Sequence, residues 1–169
     1  MRSFHKTDLD GVIRIEVGNA FEDFRGNYVE TFNKTQYENA SINVDWLQDD
    51  YAYSRRGVLR GLHGDKITDK LVYCSYGNLY VVVIQGNPKS RNYYQWQSFT
   101  LSCVNKTQLF VPAQYAIGYL VISDGAIFNY KQNSYYGDGE QFTIKWNDPK
   151  ANIWWPISGP LTSLRDTGV

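Results

Sequence analysis

The chain has 169 residues, and its 17 Lys and Arg balance 17 Asp and Glu, so it carries no net charge at neutral pH. This balance argues against broad electrostatic binding to nucleic acid, and no run of about 18 apolar residues exists that would span a membrane. A hydrophobic share of 43% and this length suit one folded domain over residues 1–169. The polar N-terminus lacks the apolar segment of a signal peptide, which favours a cytoplasmic protein.

Short segments rich in Val, Ile, Tyr and Phe alternate with turn residues along the chain. This pattern is typical of an all-β sandwich or barrel with little helix. In chain order, a short helix is expected at Lys34–Ala40 and a hairpin at Lys70–Gln85, turning near Gly77. A strand over residues 109–111 should end at Pro112, because proline cannot donate to a sheet.

The segment Tyr115–Lys131 contains Asp124-Gly125 between two strand-like runs, which predicts a hairpin with a two-residue turn. In that register Tyr119 pairs with Tyr130. Because side chains alternate along a strand, Ile117 and Tyr119 then share one face with Tyr130. If this face points into a barrel, the Tyr130 phenol is either a core or a pocket residue.

Charged and titratable side chains are most closely spaced in residues 56–70, RGVLRGLHGDKITDK, which include Arg60, His63, Asp65 and Lys70. His63 is one of only two histidines, and its ordinary pKa lets it take and give protons near neutrality. A lone histidine is nevertheless more often a core or surface residue without a chemical role. Lys70 opens an apolar run, where a solvated strand end is the commoner reading.

Tyr130 is a plausible general acid, although most of the fourteen tyrosines must be packing residues. Several common motifs are absent, namely the P-loop, GxGxxG, GxSxG and HExxH. With so few histidines, a multi-histidine metal site is not expected. Cys74 and Cys103 have no metal-site spacing, and a disulfide between them is not expected in a reducing compartment. We therefore predict no metal and no cofactor.

Several segments, taken together and in order, resemble the dTDP-4-dehydrorhamnose 3,5-epimerase family, whose members are metal-free jelly-roll barrels of the cupin type. These segments are FEDFRGNYVETF (21–32), WLQDDYAYSRRGVLRGLH (46–63), KLVYCSYG (70–77), QLFVPAQYAIGY (108–119), YKQNSYY (130–136), KWNDP (145–149) and IWWP (153–156). The resemblance covers about residues 17–166 and implies a cupin-like double-stranded β-helix.

The family epimerises carbons beside the C4 ketone of nucleotide-linked 4-keto-6-deoxy sugars, a step of deoxysugar biosynthesis. The resemblance implies that His63 is the base and that Asp166 orients it. It further implies that Lys70 stabilises the enolate and that Tyr130 returns the proton. The implied substrate-binding positions are Arg25, Glu30, Gln48, Asp50, Arg60, Ile117, Tyr136, Glu140 and Arg165.

This sequence departs from the family pattern at several of these positions. PAQYAIGY replaces PxGFAHGF, so Ile117 stands where a substrate-contacting histidine is usual, and Asp50 stands where the rhamnose enzymes carry Asn. Tyr80–Asn87 lacks the acidic residues and the arginine of a DVxVDxR strand. The GLHGD variant resembles enzymes that act on GDP-4-keto-6-deoxyheptoses. We therefore expect a dTDP- or GDP-linked hexose or heptose, inverted at C3, C5 or both.

The family also exchanges N-terminal strands within homodimers, so we expect a homodimer in which Arg25 and Glu30 serve the neighbouring pocket. Two alternatives remain open. A 3,4-ketoisomerase on the same fold typically has a second histidine near the base, which this chain lacks. A non-catalytic sugar-nucleotide-binding barrel would have no need to retain His63, Lys70 and Tyr130 together.

Overall fold

The computed structural model describes residues 2–18 and 20–167 of the chain. These residues form a barrel of β-strands with two short helices. The elements are β1 Ser3–Lys6, β2 Ile13–Glu16, β3 Ala20–Asp23, β4 Gly26–Val29, α1 Lys34–Asn39, β5 Gln48–Arg55, β6 Leu59–Asp65, β7 Lys70–Tyr76, β8 Asn78–Gln85, β9 Trp96–Ser102, β10 Thr107–Val111, β11 Tyr115–Val121, β12 Gly125–Gln132, β13 Gln141–Thr143 and α2 Leu164–Thr167.

Two antiparallel sheets pack face to face and enclose the main core. The first has the strand order β1-β2-β10-β7-β12-β5, and the second has the order β13-β6-β11-β8-β9. Strands β3 and β4 form a separate two-stranded hairpin. Inward-facing side chains of both sheets, among them Val72, Val81 and Leu109, are fully buried between them. This architecture confirms the all-β, jelly-roll barrel predicted from the sequence.

The two predicted hairpins are wrong, because both turns carry the chain from one sheet to the other. Strand β11 pairs with β6 and β8, whereas β12 pairs with β5 and β7. Likewise β7 and β8 lie in different sheets. The two crossovers contact each other, since the Asn78 N–H donates to Ser123 Oγ at 2.8 Å and the Ser123 hydroxyl donates to the Gly125 carbonyl at 2.8 Å. Gly77 has a positive φ of 77°, and a Cβ there would collide with the Gly125 carbonyl oxygen.

Other local predictions are confirmed. Helix α1 lies within the predicted Lys34–Ala40 segment, and Asn33 caps it by accepting a hydrogen bond from the Gln36 N–H. Its buried Tyr37 packs with Ile15 beside the six-stranded sheet. Strand β10 ends at Val111, directly before Pro112. The longer of the two helices in the described ranges has six residues, too few to cross a bilayer.

The C-terminal segment covers the outer side of the five-stranded sheet and returns to the start of β6. Ile144 and Trp155 pack there against Leu62 in a second buried cluster. The Leu59 N–H donates to the Leu161 carbonyl at 2.9 Å, and the Leu161 N–H donates to the Gly57 carbonyl at 2.8 Å. These bonds bring α2, which follows a few residues later, against β6.

Candidate active site

A cavity of about 340 Å³ lies inside the barrel, bordered by both sheets. Three of the residues predicted from the sequence to be catalytic, His63, Lys70 and Tyr130, line this cavity. The lining residues are Ala52, Arg60, His63, Gly64, Asp65, Thr68, Lys70, Ile117, Tyr119, Phe128, Tyr130, Gln132, Tyr135, Tyr136, Gly137, Gln141, Ser163 and Arg165.

His63 projects from β6 and is held on both ring nitrogens. Its Nε2 lies 2.7 Å from Oδ1 of Asp166, whose side chain is only 3% exposed. The Ser163 hydroxyl donates to Oδ2 of the same carboxylate at 2.8 Å. On the other side Nδ1 lies 3.2 Å from the Thr143 hydroxyl, which β13 brings opposite His63. Thr143 was not predicted from the sequence, because only the pairing of β13 with β6 places it there.

Burial lowers the pKa of His63 below its usual 6.5. The cations of Arg165 and Lys70 act in the same direction, and the Asp166 carboxylate opposes them. The ring is therefore neutral at physiological pH and able to accept a proton. A buried carboxylate beside an imidazole favours the protonated form of the ring.

Lys70 begins β7 and presents its ammonium to the same cavity. Burial lowers its pKa and the nearby Asp65 carboxylate raises it. A cation in a partly desolvated cavity is suited to stabilise an oxyanion.

Tyr130 lies near the end of β12, on the inner face of the six-stranded sheet. Burial and the neighbouring Asp50 raise the pKa of its phenol, which therefore keeps its proton at neutral pH. Its ring lies 5.9 Å from that of Phe128, which stacks in turn on Tyr119 of the opposite sheet at 4.4 Å. The sequence predicted that Ile117, Tyr119 and Tyr130 share one face of a hairpin, which is wrong because β11 and β12 belong to different sheets. All three side chains nevertheless line the cavity, from opposite walls of the barrel.

The substrate-binding positions implied by the resemblance fall into three groups. Arg60, Ile117, Tyr136 and Arg165 line the cavity. Gln48 and Asp50 lie on β5 beside it, where the Gln48 amide donates to Asp50 Oδ2 at 2.6 Å and accepts from the Tyr136 N–H at 2.9 Å. The third group, Arg25, Glu30 and Glu140, does not line the cavity of its own chain.

Glu140 does not line the cavity, whereas the next residue, Gln141, does. Glu140 lies just before β13, and its carboxylate accepts a hydrogen bond from Lys66 at 2.6 Å. Gln141, the first residue of β13, lines the cavity in its place and accepts a hydrogen bond from Arg165 at 2.9 Å. The sequence around Glu140 is loop-like, so no periodicity could fix this register.

Arg25 and Glu30 lie at the β3–β4 hairpin and just after it. The Arg25 guanidinium is 76% exposed and pairs with Asp23 of the same turn at 2.6 Å. Phe21, Phe24 and Tyr28 of this hairpin are also largely exposed. The hairpin thus presents a cation and three aromatic rings away from its own barrel.

Comparison with known proteins identifies the family of the chain. The family model of dTDP-4-dehydrorhamnose 3,5-epimerase matches residues 6–169. The chain belongs to this family. A dTDP-4-dehydrorhamnose 3,5-epimerase of Shigella flexneri is 37% identical over 165 residues, which are 95% of this chain and 91% of the relative.

Solved structures of epimerases share the fold. The dTDP-6-deoxy-D-glucose-3,5-epimerase of Legionella pneumophila, in complex with dTDP-4-keto-L-rhamnose, has a TM-score of 0.92 and 32% identity over 99% of this chain and 91% of that one. A 3′-monoepimerase of Streptomyces bikiniensis, in complex with dTDP-quinovose, has a TM-score of 0.89 and 26% identity over 97% and 85%. The chain is an epimerase of a nucleotide-linked keto-deoxy sugar, and the two alternative functions are set aside.

Proposed function

We propose that this epimerase inverts C3, C5 or both of a nucleotide-linked 4-keto-6-deoxy sugar by proton transfer between His63 and Tyr130. The observation that carries the proposal is the convergence of a neutral imidazole, a protonated phenol and an ammonium on one cavity. No metal or cofactor takes part in the reaction as we propose it.

In the first step His63 takes the proton from the carbon beside the C4 ketone. The electron pair of the broken C–H bond moves to form the enolate, whose negative charge falls on the C4 oxygen. Lys70 stabilises that oxygen, and Asp166 stabilises the imidazolium. Tyr130 then donates its proton to the opposite face of the same carbon, and solvent returns both groups to their starting states.

The nucleotide half of the substrate is held in part by a second copy of the chain. We propose a homodimer in which the β3–β4 hairpin and the residue that follows it bring Arg25 and Glu30 to the neighbouring cavity. The exposed Arg25 and the exposed rings of Phe21, Phe24 and Tyr28 support this arrangement.

The sugar is proposed to differ from the usual rhamnose precursor. Ile117 is 8% exposed and lines the cavity at the position where the family carries a polar histidine. A buried aliphatic side chain cannot pair with a sugar hydroxyl, and an unpaired hydroxyl there costs about 1–3 kcal/mol. We expect slow turnover of dTDP-4-keto-6-deoxyglucose and faster turnover of another sugar nucleotide, first of all a GDP-linked 4-keto-6-deoxyheptose.

A panel of sugar nucleotides in heavy water tests the proposal. The enzyme is incubated with dTDP- and GDP-linked 4-keto-6-deoxy hexoses and heptoses, and mass spectrometry with NMR locates the deuterium. We expect uptake at C3, C5 or both in at least one compound, with net inversion there. Absence of uptake from the whole panel contradicts the proposal, and efficient double epimerisation of the rhamnose precursor contradicts the role given to Ile117.

A further inference from the structure

Gln132 is a buried polar residue of the cavity whose side-chain Nε2 makes no hydrogen bond within the described residues. It ends β12, lines the cavity and is 4% exposed. Its Nε2 has no hydrogen-bond partner among residues 2–18 and 20–167. Buried amide groups are nearly always paired in folded proteins, because leaving one unpaired destabilises the fold.

The two cross-strand neighbours of Gln132 do not supply the missing acceptor. Its cross-strand partners are Lys70 on β7 and Gln48 on β5. An ammonium has only donors. The Gln48 side chain is already engaged, with its amide N–H on Asp50 and its carbonyl oxygen accepting from the Tyr136 N–H.

A second buried glutamine shows how this protein otherwise satisfies such a group. Gln108 is 1% exposed, its Nε2 donates to the Thr31 carbonyl at 2.8 Å, and its Oε1 accepts from the Tyr37 hydroxyl. Both polar ends of the Gln108 side chain are therefore paired within the protein. The Gln132 Nε2 has no such partner, and the residue lines the cavity.

We propose that the Gln132 amide donates a hydrogen bond to the C3 hydroxyl oxygen of the bound sugar and thereby selects the substrate. The inference rests on the proposed function, in which Lys70 faces the C4 oxygen. Directly opposed side chains on neighbouring strands have Cβ atoms roughly 5 Å apart, so Gln132 reaches the group beside that oxygen. Of the two carbons next to C4, only C3 bears a hydroxyl.

This assignment also accounts for the presence of Ile117, which cannot form a hydrogen bond to the sugar. The wall formed by β11 offers carbon at that position, and β12 on the opposite sheet offers the Gln132 amide. The hydrogen bond to the C3 hydroxyl is thus supplied from the six-stranded sheet.

The test compares Gln132→Met with the wild type on two substrates. The first is the 4-keto-6-deoxy sugar nucleotide that takes up deuterium fastest with the wild type, and the second is its 3-deoxy counterpart. We expect kcat/KM for uptake beside C4 to fall roughly tenfold on the first substrate and to stay equal to the wild type on the second. Deuterium uptake by the wild type tests the proposed function. The ratio of kcat/KM between Gln132→Met and the wild type tests the role of Gln132. Failure of the proposed function can therefore be distinguished from failure of the Gln132 assignment.

Thermal unfolding without substrate provides a readout independent of activity. Methionine has a similar volume and no polar group to leave unpaired, so we expect the Tm of Gln132→Met to equal or exceed that of the wild type. The matched control, Gln108→Met, breaks formed hydrogen bonds and should lower the Tm. Three results overturn the assignment: an unchanged kcat/KM on the hydroxylated substrate, an equal loss on the 3-deoxy substrate, or a Tm loss as large as that of the control.

Discussion

Oδ1 of Asp166 lies 2.7 Å from Nε2 of His63, and the carboxylate is almost completely buried where it makes this contact. The pair joins the C-terminal helix α2 to the centre of β6, because the chain around Leu161 is hydrogen-bonded to the start of that strand. A buried carboxylate in this position orients the ring and favours its protonated form. The proposed base therefore depends on a residue near the end of the chain.

Replacing Asp166 by Asn keeps the shape of the side chain and removes its charge. The imidazolium formed during proton abstraction loses its stabilising partner, so we expect deuterium uptake to slow by at least roughly tenfold. The control is Asp124→Asn, since that side chain is 98% exposed on a crossover. Equal uptake rates in Asp166→Asn and the control would contradict the role of Asp166.

The pH dependence of kcat/KM follows from the lowered pKa of His63. The base is neutral above its pKa and charged below it, so activity falls as the pH drops through that value. Because burial lowers the pKa below 6.5, the midpoint of the acid limb should lie below pH 6.5. Asp166 raises this pKa, so Asp166→Asn should move the midpoint further toward acid. A midpoint above 6.5, or a shift in the other direction, argues against His63 as the base.

Tyr130→Phe separates proton abstraction from inversion. His63 can still remove the proton and return deuterium to the original face, but no donor remains on the far side. We expect exchange with retention to persist while net inversion falls by about 10²–10⁴-fold. NMR of the sugar ring distinguishes the two outcomes, and Tyr93→Phe, on a loop outside the cavity, serves as the matched variant. If inversion in Tyr130→Phe matches that of the wild type, another group is the acid.

How much could be read from the sequence alone depends on whether the information is local. The β-rich pattern, α1 and the end of β10 before Pro112 were all correct, because capping and proline chemistry act over a few residues. The hairpin at Asp124-Gly125 was wrong, because a two-residue turn signal does not specify which sheet the next strand joins. Strand β11 is buried on every residue, so it needs partners on both edges within its own sheet.

The site shows the same division. His63, Lys70 and Tyr130 were candidates from the sequence itself and received their roles from the resemblance, and the structure places them around one cavity. Gln132, Gln141 and Thr143 were missed, because their relevance arises only from strand register. The lack of a partner for the Gln132 amide is a property of the three-dimensional surroundings and has no signature in the sequence.

Mixed dimers test whether the β3–β4 hairpin serves the neighbouring cavity. Arg25→Ala and His63→Asn should each be inactive alone. If Arg25 acts in the partner's site, a dimer of one subunit of each kind contains one complete site, so mixing under conditions of subunit exchange restores deuterium uptake. Lack of recovery in mixed dimers verified by native mass spectrometry, or a monomer by light scattering, contradicts the arrangement.

The most direct test of the account is position-resolved deuterium uptake by the wild type and by His63→Asn. The substrate is the sugar nucleotide that the wild type processes best, and the fold of the variant is checked by thermal unfolding. With His63 as the base, uptake at C3 and C5 should fall by roughly 10²–10⁴-fold in the folded variant. Uptake near the wild-type rate by folded His63→Asn would show that another group removes the proton.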